Sequence, residues 1–443
     1  MHGVRLSRWS LAYFAVAIIS LLVAEMLLVL GVADPMVAVT SGWTLVAVHL
    51  TTIGWASMLM LGALQQFVPV LTTKDLASQT ASGITWATMT AGLFLLLLGF
   101  LALPGGAFAG GLWLLPVGGT LIVSGVIVAI WNLGTTLHRA WPWELPVWFI
   151  ATGLGFLLLT VSLGLTFAIS LSDPYWLNPN LTVMLFGRGL VAHVVGGIAG
   201  WLTLTAMGVA YKLLSMFTLA PEHRGWWGRI AYLLTASGLL DIWINQWMGT
   251  AVTSAVGWIL AAGGIIAYLM DMIRLYHARK RRSMELNARM ARGALVSLAL
   301  LVAFGTWARV THQWGRWALP LIFFGLYGWI GGLGLTQLYK IIPFLAWLES
   351  FGKKMGKQRT PRVQDLVNEP RDGPAYALYF IAVFVAAVAL VFHWTWLFRG
   401  SMGLALVATA DISRALWRVR HPRRSKREEA SMASPRLDLR KEP

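Results

Sequence analysis

Two of the nine histidines in this 443-residue chain stand inside long apolar stretches at related places. His49 precedes the pair Gly54-Trp55, and His193 precedes the pair Gly200-Trp201. An imidazole inside a bilayer is costly unless it has a partner. Neutral imidazole is a ligand for haem iron and for copper, and it also bridges helices by hydrogen bonds. For either residue alone both readings stand, and the shared placement tilts the pair toward ligation. His312 and His393 close two further apolar stretches. There an interfacial histidine is the commoner role and a metal ligand the weaker alternative. His2, His138, His223, His277 and His421 fall in polar segments and ask for no special chemistry.

Other polar residues sit near these candidates. Arg188 lies five positions before His193, and Arg309 and Arg316 flank His312. Such arginines clamp anionic groups, haem propionates among them, and equally bind lipid headgroups. Asp241 and Asn245 are four residues apart, hence on one side of a helix. A buried carboxylate there asks for a proton, a cation or a hydrogen-bond partner. Glu25 raises the same question more weakly. Tryptophans such as Trp43, Trp55, Trp201 and Trp329 suit either core packing or the face of a flat ligand. With no cysteine in the chain, disulfides, Cys-x-x-Cys-His haem attachment, iron–sulfur clusters and thiolate copper sites are excluded. No nucleotide loop or zinc-protease motif is present.

The elements that must carry these residues are membrane helices. Hydrophobic residues make up 57% of the chain and charged residues 12%, too few charges to cover a soluble surface of this size. No alternating beta-barrel pattern occurs. Twelve apolar segments run at about 9–31, 41–71, 82–103, 112–137, 145–170, 184–217, 229–248, 252–275, 291–310, 318–348, 375–397 and 401–418. The last is interrupted by Asp411 and Arg414. Lys74, Arg139, Arg224, the run Arg279–Arg282, Lys353-Lys354 and Arg423-Arg424 fall in alternate loops and the tail. The positive-inside rule therefore predicts cytoplasmic N- and C-termini. The net charge of +17 reads as this topology signal and contact with anionic lipid, not as nucleic-acid binding. The segment 350–374 reads as a flexible cytoplasmic loop and 419–443 as a disordered basic tail.

Three of the segments repeat one another. Gly54-Trp55, Gly200-Trp201 and Gly328-Trp329 are each followed, eleven residues after the Gly, by Gln65, Tyr211 or Tyr339. Pro69, Ser215 and Pro343 then follow at fifteen. This spacing predicts three units of four helices, at about 9–137, 145–275 and 291–418, in a pseudo-threefold all-α bundle.

On the segments Val48-His49 through Pro69 and Ala192-His193 through Tyr211, the chain resembles subunit I of the haem-copper oxidases. It is most similar to the cbb3-type oxidase and nitric-oxide-reductase branch, and NnrS-type membrane proteins linked to nitric-oxide metabolism are another similar group. The resemblance implies a multi-pass protein of a prokaryotic plasma membrane, with haem b as cofactor and copper as a further candidate. It also implies an electron-donor protein or quinol as partner. It casts His49 as a low-spin haem ligand and His193 as a copper ligand. The family's tenth-helix His-x-His pair is replaced by Leu321 and Phe323, and its adjacent seventh-helix histidines by the run Asp241 to Trp247. The expectation is a divergent relative linked to electron transfer or nitric oxide. The alternative is a cofactor-free transporter or scaffold on the same bundle.

Overall fold

The computed structural model describes residues 9–221, 225–249, 251–354 and 360–420. Twelve long helices account for almost all of them. They are α1 (Ser10–Leu30), α2 (Gly42–Thr72), α3 (Gln79–Leu101), α4 (Leu114–His138), α5 (Leu145–Ser172) and α6 (Pro179–Thr218). They continue as α7 (Trp226–Met248), α8 (Ala251–His277), α9 (Leu286–Val310), α10 (Trp314–Phe351), α11 (Glu369–Val391) and α12 (Thr395–Arg420). Ten are long and apolar enough to cross a membrane, so the chain is a multi-pass membrane protein. The other two, α7 and α12, carry more polar residues. At 23 and 26 residues they are still long enough to span, and they pack along α8 and along α1 and α11. The first helix begins and the twelfth ends on one face of the bundle, here called the terminal face. His2, His223, His421 and residues 421–443 of the expected tail lie outside the described residues, while residues 419 and 420 of that tail complete α12.

The eleventh helix stops earlier than the hydropathy suggests. Continuous apolar character runs to residue 397, yet α11 ends at Val391 and α12 begins at Thr395. His393 takes the left-handed conformation (φ 56°), and the N–H of Trp394 reaches back to the Ala389 carbonyl at 2.9 Å. That six-to-one bond closes a Schellman turn. His312 (φ 57°) ends α9 in the same way, with Gln313 N–H on the Ala308 carbonyl at 2.8 Å. On the terminal face, part of the polar segment before α11 is anchored: Trp347 Nε1 donates to the Pro361 carbonyl at 2.6 Å, and Val363–Leu366 forms a 3₁₀ turn.

The repeated segments form a ring. In α2, α6 and α10 the Gly-Trp pair lies within a π-helical stretch, at Leu50–Ser57, Val195–Thr203 and Gly325–Gly331. Such wide turns insert an extra residue and re-aim side chains. Trp55, Trp201 and Trp329 are the largest fully buried side chains. Trp201 Nε1 donates to Ser57 Oγ (3.0 Å), and Trp329 Nε1 donates to Thr203 Oγ1 (3.2 Å). Ser57 and Thr203 each follow their own tryptophan by two residues, so the bonds step cyclically from α10 to α6 to α2. The third step would run from Trp55 to position 331, which is glycine, and Trp55 Nε1 is buried with no partner. A Cβ on Gly331 would come within 2.7 Å of the Tyr379 hydroxyl, which fills that space.

Candidate functional site

His49 and His193 lie in the halves of α2 and α6 remote from the terminal face, each just ahead of its π-helical stretch. The His49 Nδ1 is 2.8 Å from the Leu45 carbonyl, and the His193 Nδ1 is 3.0 Å from the Thr160 carbonyl of α5. A carbonyl only accepts, so each neutral ring carries its proton on Nδ1 and leaves the Nε2 lone pair uncommitted. This is the arrangement by which a backbone carbonyl fixes the tautomer of a metal-ligating histidine. Both rings are half-buried. Phe100 of α3 packs on His49 with ring centroids 4.6 Å apart, and Phe167 of α5 meets His193 edge-on at 5.6 Å. Gly164 gives the second ring its room, since a Cβ there would lie 3.1 Å from His193 Cε1. The two imidazoles are within electrostatic reach of one another, across an α2–α6 contact that the Trp201–Ser57 bond holds.

The other candidates are not gathered here. His312 and His393 are exposed helix-ending residues with the backbone role described above. Arg188 is exposed, and its guanidinium covers Gly249 at the α7–α8 turn. Arg309 lies over Trp258 and Trp314, and Arg316 over Phe392. Asn245 uses its amide on the Asp241 carbonyl one turn back (2.9 Å). The carboxylate Oδ2 of Asp241 points at the α8 backbone near Gly257 and has no hydrogen-bond partner.

The donor set fits haem better than copper. Two free imidazole nitrogens are donors that haem iron would accept. Among the described residues no group of three or more His, Cys, Asp or Glu side chains comes together. On α7, Trp243 and Trp247 pack in the cluster beside His193. An indole N–H offers no lone pair to a metal. In α10, the positions matching the two histidines are Leu321 and Phe323. Phe323 is buried and stacks on Tyr327 at 4.7 Å, so that repeat has filled its site with rings.

No family model and no curated protein matches the sequence. Among solved structures, the chain is similar to one described as a heme-copper terminal oxidase dimer, with a TM-score of 0.56 and 12% identity. The match covers 92% of this chain and 84% of that one. The protein therefore has the fold of a haem-copper terminal oxidase chain, and at that identity the likeness speaks for the fold.

Asp271, Glu285 and Asp372 carry no mark in the sequence pattern, yet each meets a polar partner. Tyr339 donates to Asp372 Oδ2 at 2.8 Å, and Tyr211 and Asp271 face each other beside Gly228. The eleventh position of the repeat is thus a buried tyrosine beside an aspartate in two units. Lys340 and Arg281 both pair with Glu285 at 2.6 Å on the terminal face. Tyr376 and Tyr379 follow Asp372 at four and seven residues, a helical spacing that the sequence does carry.

Proposed function

We propose that this chain is a divergent oxidase-like protein of a prokaryotic plasma membrane that holds haem, as haem b, through His49 and His193. The observation that supports this reading is the paired tautomer: two histidines on equivalent helices, each tied through Nδ1 to a carbonyl and each presenting a free Nε2. A haem held there would supply one-electron chemistry. The chain's own part is to fix both rings and to pack Phe100 on His49 and Phe167 on His193. Copper has no matching donor set, so no step is assigned to it. The oxidase-like fold supports a place in respiratory electron transfer or nitric-oxide metabolism, with a donor protein or a quinol as electron source. Both termini are cytoplasmic in this reading, because the terminal face carries Arg279, Lys280, Arg281, Arg282 and Lys354.

The test is a visible spectrum of the purified protein, oxidised and dithionite-reduced, with haem extraction alongside. Sharp reduced bands of a six-coordinate haem are expected. Absence of haem after expression in a haem-replete host would overturn the assignment and favour a cofactor-free transporter or scaffold.

A further inference from the structure

The twelfth helix carries charge where a bundle helix should face lipid. Its inner side is packed. Phe398 meets Phe323 of α10 edge-on at 5.6 Å, Thr409 donates to Glu25 of α1 at 3.0 Å, and Met402, Ala405 and Ile412 are buried. The outer side has no such cover. At 3.6 residues per turn, Gly400, Gly403, Leu404, Val407, Asp411 and Arg414 share a stripe about 100° wide. Leu404, Val407 and Arg414 are exposed, and Asp411 is partly so. Nothing lies within 4 Å of the place that a Cβ would take on Gly400 or Gly403. α12 is also one of the two long helices whose composition falls short of a lone membrane span.

Depth makes these charges informative. Asp411 stands fifteen residues beyond Trp396, an exposed tryptophan at the start of α12. At 1.5 Å per residue that is about 22 Å along the axis, whereas a hydrocarbon layer is about 30 Å thick. Tryptophan at a helix end marks the interface, so Asp411 and Arg414 both lie at hydrocarbon depth. Among the described residues, the ion pairs are those of Glu285 with Arg281 and Lys340 and of Asp34 with Arg399. Within that set neither Asp411 nor Arg414 has a counter-charge. Charged groups at such depth are tolerated where they pair with one another.

We propose that this face of α12 docks on the same face of a second copy of the chain. A two-fold axis along the membrane normal keeps each residue at one depth in both copies. Asp411 then faces the partner's Arg414 one turn away, and Arg414 faces the partner's Asp411. One acid and one base per chain thus make two ion pairs, and this self-complementarity singles out a second copy over a foreign helix. Gly400 and Gly403 let the two backbones approach closely along the rest of the contact. The docking is independent of whether His49 and His193 hold haem.

Disulfide trapping of the full chain in native membranes tests it, since the chain has no cysteine of its own. Under mild oxidation Leu404→Cys and Val407→Cys should each give a band of doubled mass. Phe94→Cys on α3 and Ile259→Cys on α8, exposed on other helices, should not. The ion pairs are tested by counting chains per particle in lipid nanodiscs. Asp411→Arg and Arg414→Asp should each shift the particles from two chains toward one, lowering the association constant at least about tenfold, because like charges then face each other. Co-expressed, the two variants should form mixed pairs, since each supplies the charge that the other lacks. Absence of trapping at both Leu404 and Val407 overturns the proposal, as does equal trapping at Phe94 and Ile259. One chain per wild-type particle overturns it too, and so do two single variants that pair as well as wild type. If a charge variant does not fold, the trapping pattern decides.

Discussion

At His49 and His193 the backbone decides the chemistry of the side chain. A carbonyl on Nδ1 turns Nε2 into the lone-pair atom; at His49 that carbonyl belongs to α2 itself, and at His193 it belongs to α5, which must keep its place. His49→Ala and His193→Ala should therefore each abolish the six-coordinate haem spectrum of the purified protein, and retention of that spectrum in both variants would remove the site. The two turn histidines predict the reverse. At φ near +57° a residue with a side chain is strained where glycine is not. His312→Gly and His393→Gly should keep any haem band and should raise the unfolding free energy by about 0.5–1 kcal/mol each in thermal melts. Loss of haem on either change would make that histidine a ligand after all. The sequence already separated these pairs by place: His49 and His193 fall inside apolar stretches, and His312 and His393 fall at their ends. It held no trace of the left-handed turn at His393, because apolar character continues through Phe392 and Trp394.

At the scale of the helix, the repeat was legible and its mechanism was not. Gly-Trp pairs at matching offsets announced three related segments, but the π-helical stretches and the tryptophan-to-hydroxyl steps depend on packing between segments far apart in sequence. The small residue of each pair is what lets the helices close. A Cβ on Gly200 would stand 2.4 Å from the Phe156 ring of α5. Gly200→Ala should cost about 1–3 kcal/mol through this overpacking, measured as a lower melting temperature in detergent. Ser57→Ala, which removes the acceptor and leaves the buried Trp201 N–H unpaired, should cost about 1–3 kcal/mol. If Gly200→Ala melts at the wild-type temperature, α5 and α6 are not in the close contact described. The buried tyrosine–aspartate pairs were half visible. Tyr211 and Tyr339 stood out as repeat positions, whereas Asp271 and Asp372 lie on helices that the repeat did not mark.

For the molecule as a whole, hydropathy and charge sufficed to count twelve helices. Apolar runs must be paired across a bilayer whatever the details of packing, and basic residues are expensive to move across it. The same argument supports the proposed orientation. Loops on the terminal face hold Lys74, Arg139, Arg281 and Lys354, while the opposite loops hold Asp34 and Asp173 with few cations. The absence of cysteine makes this directly measurable. Single cysteines at Ser283 between α8 and α9, and at Ala109 between α3 and α4, provide one reporter for each face. In intact cells a membrane-impermeant maleimide should label Ala109→Cys and leave Ser283→Cys unlabelled until the membrane is opened. The opposite pattern would invert the bundle.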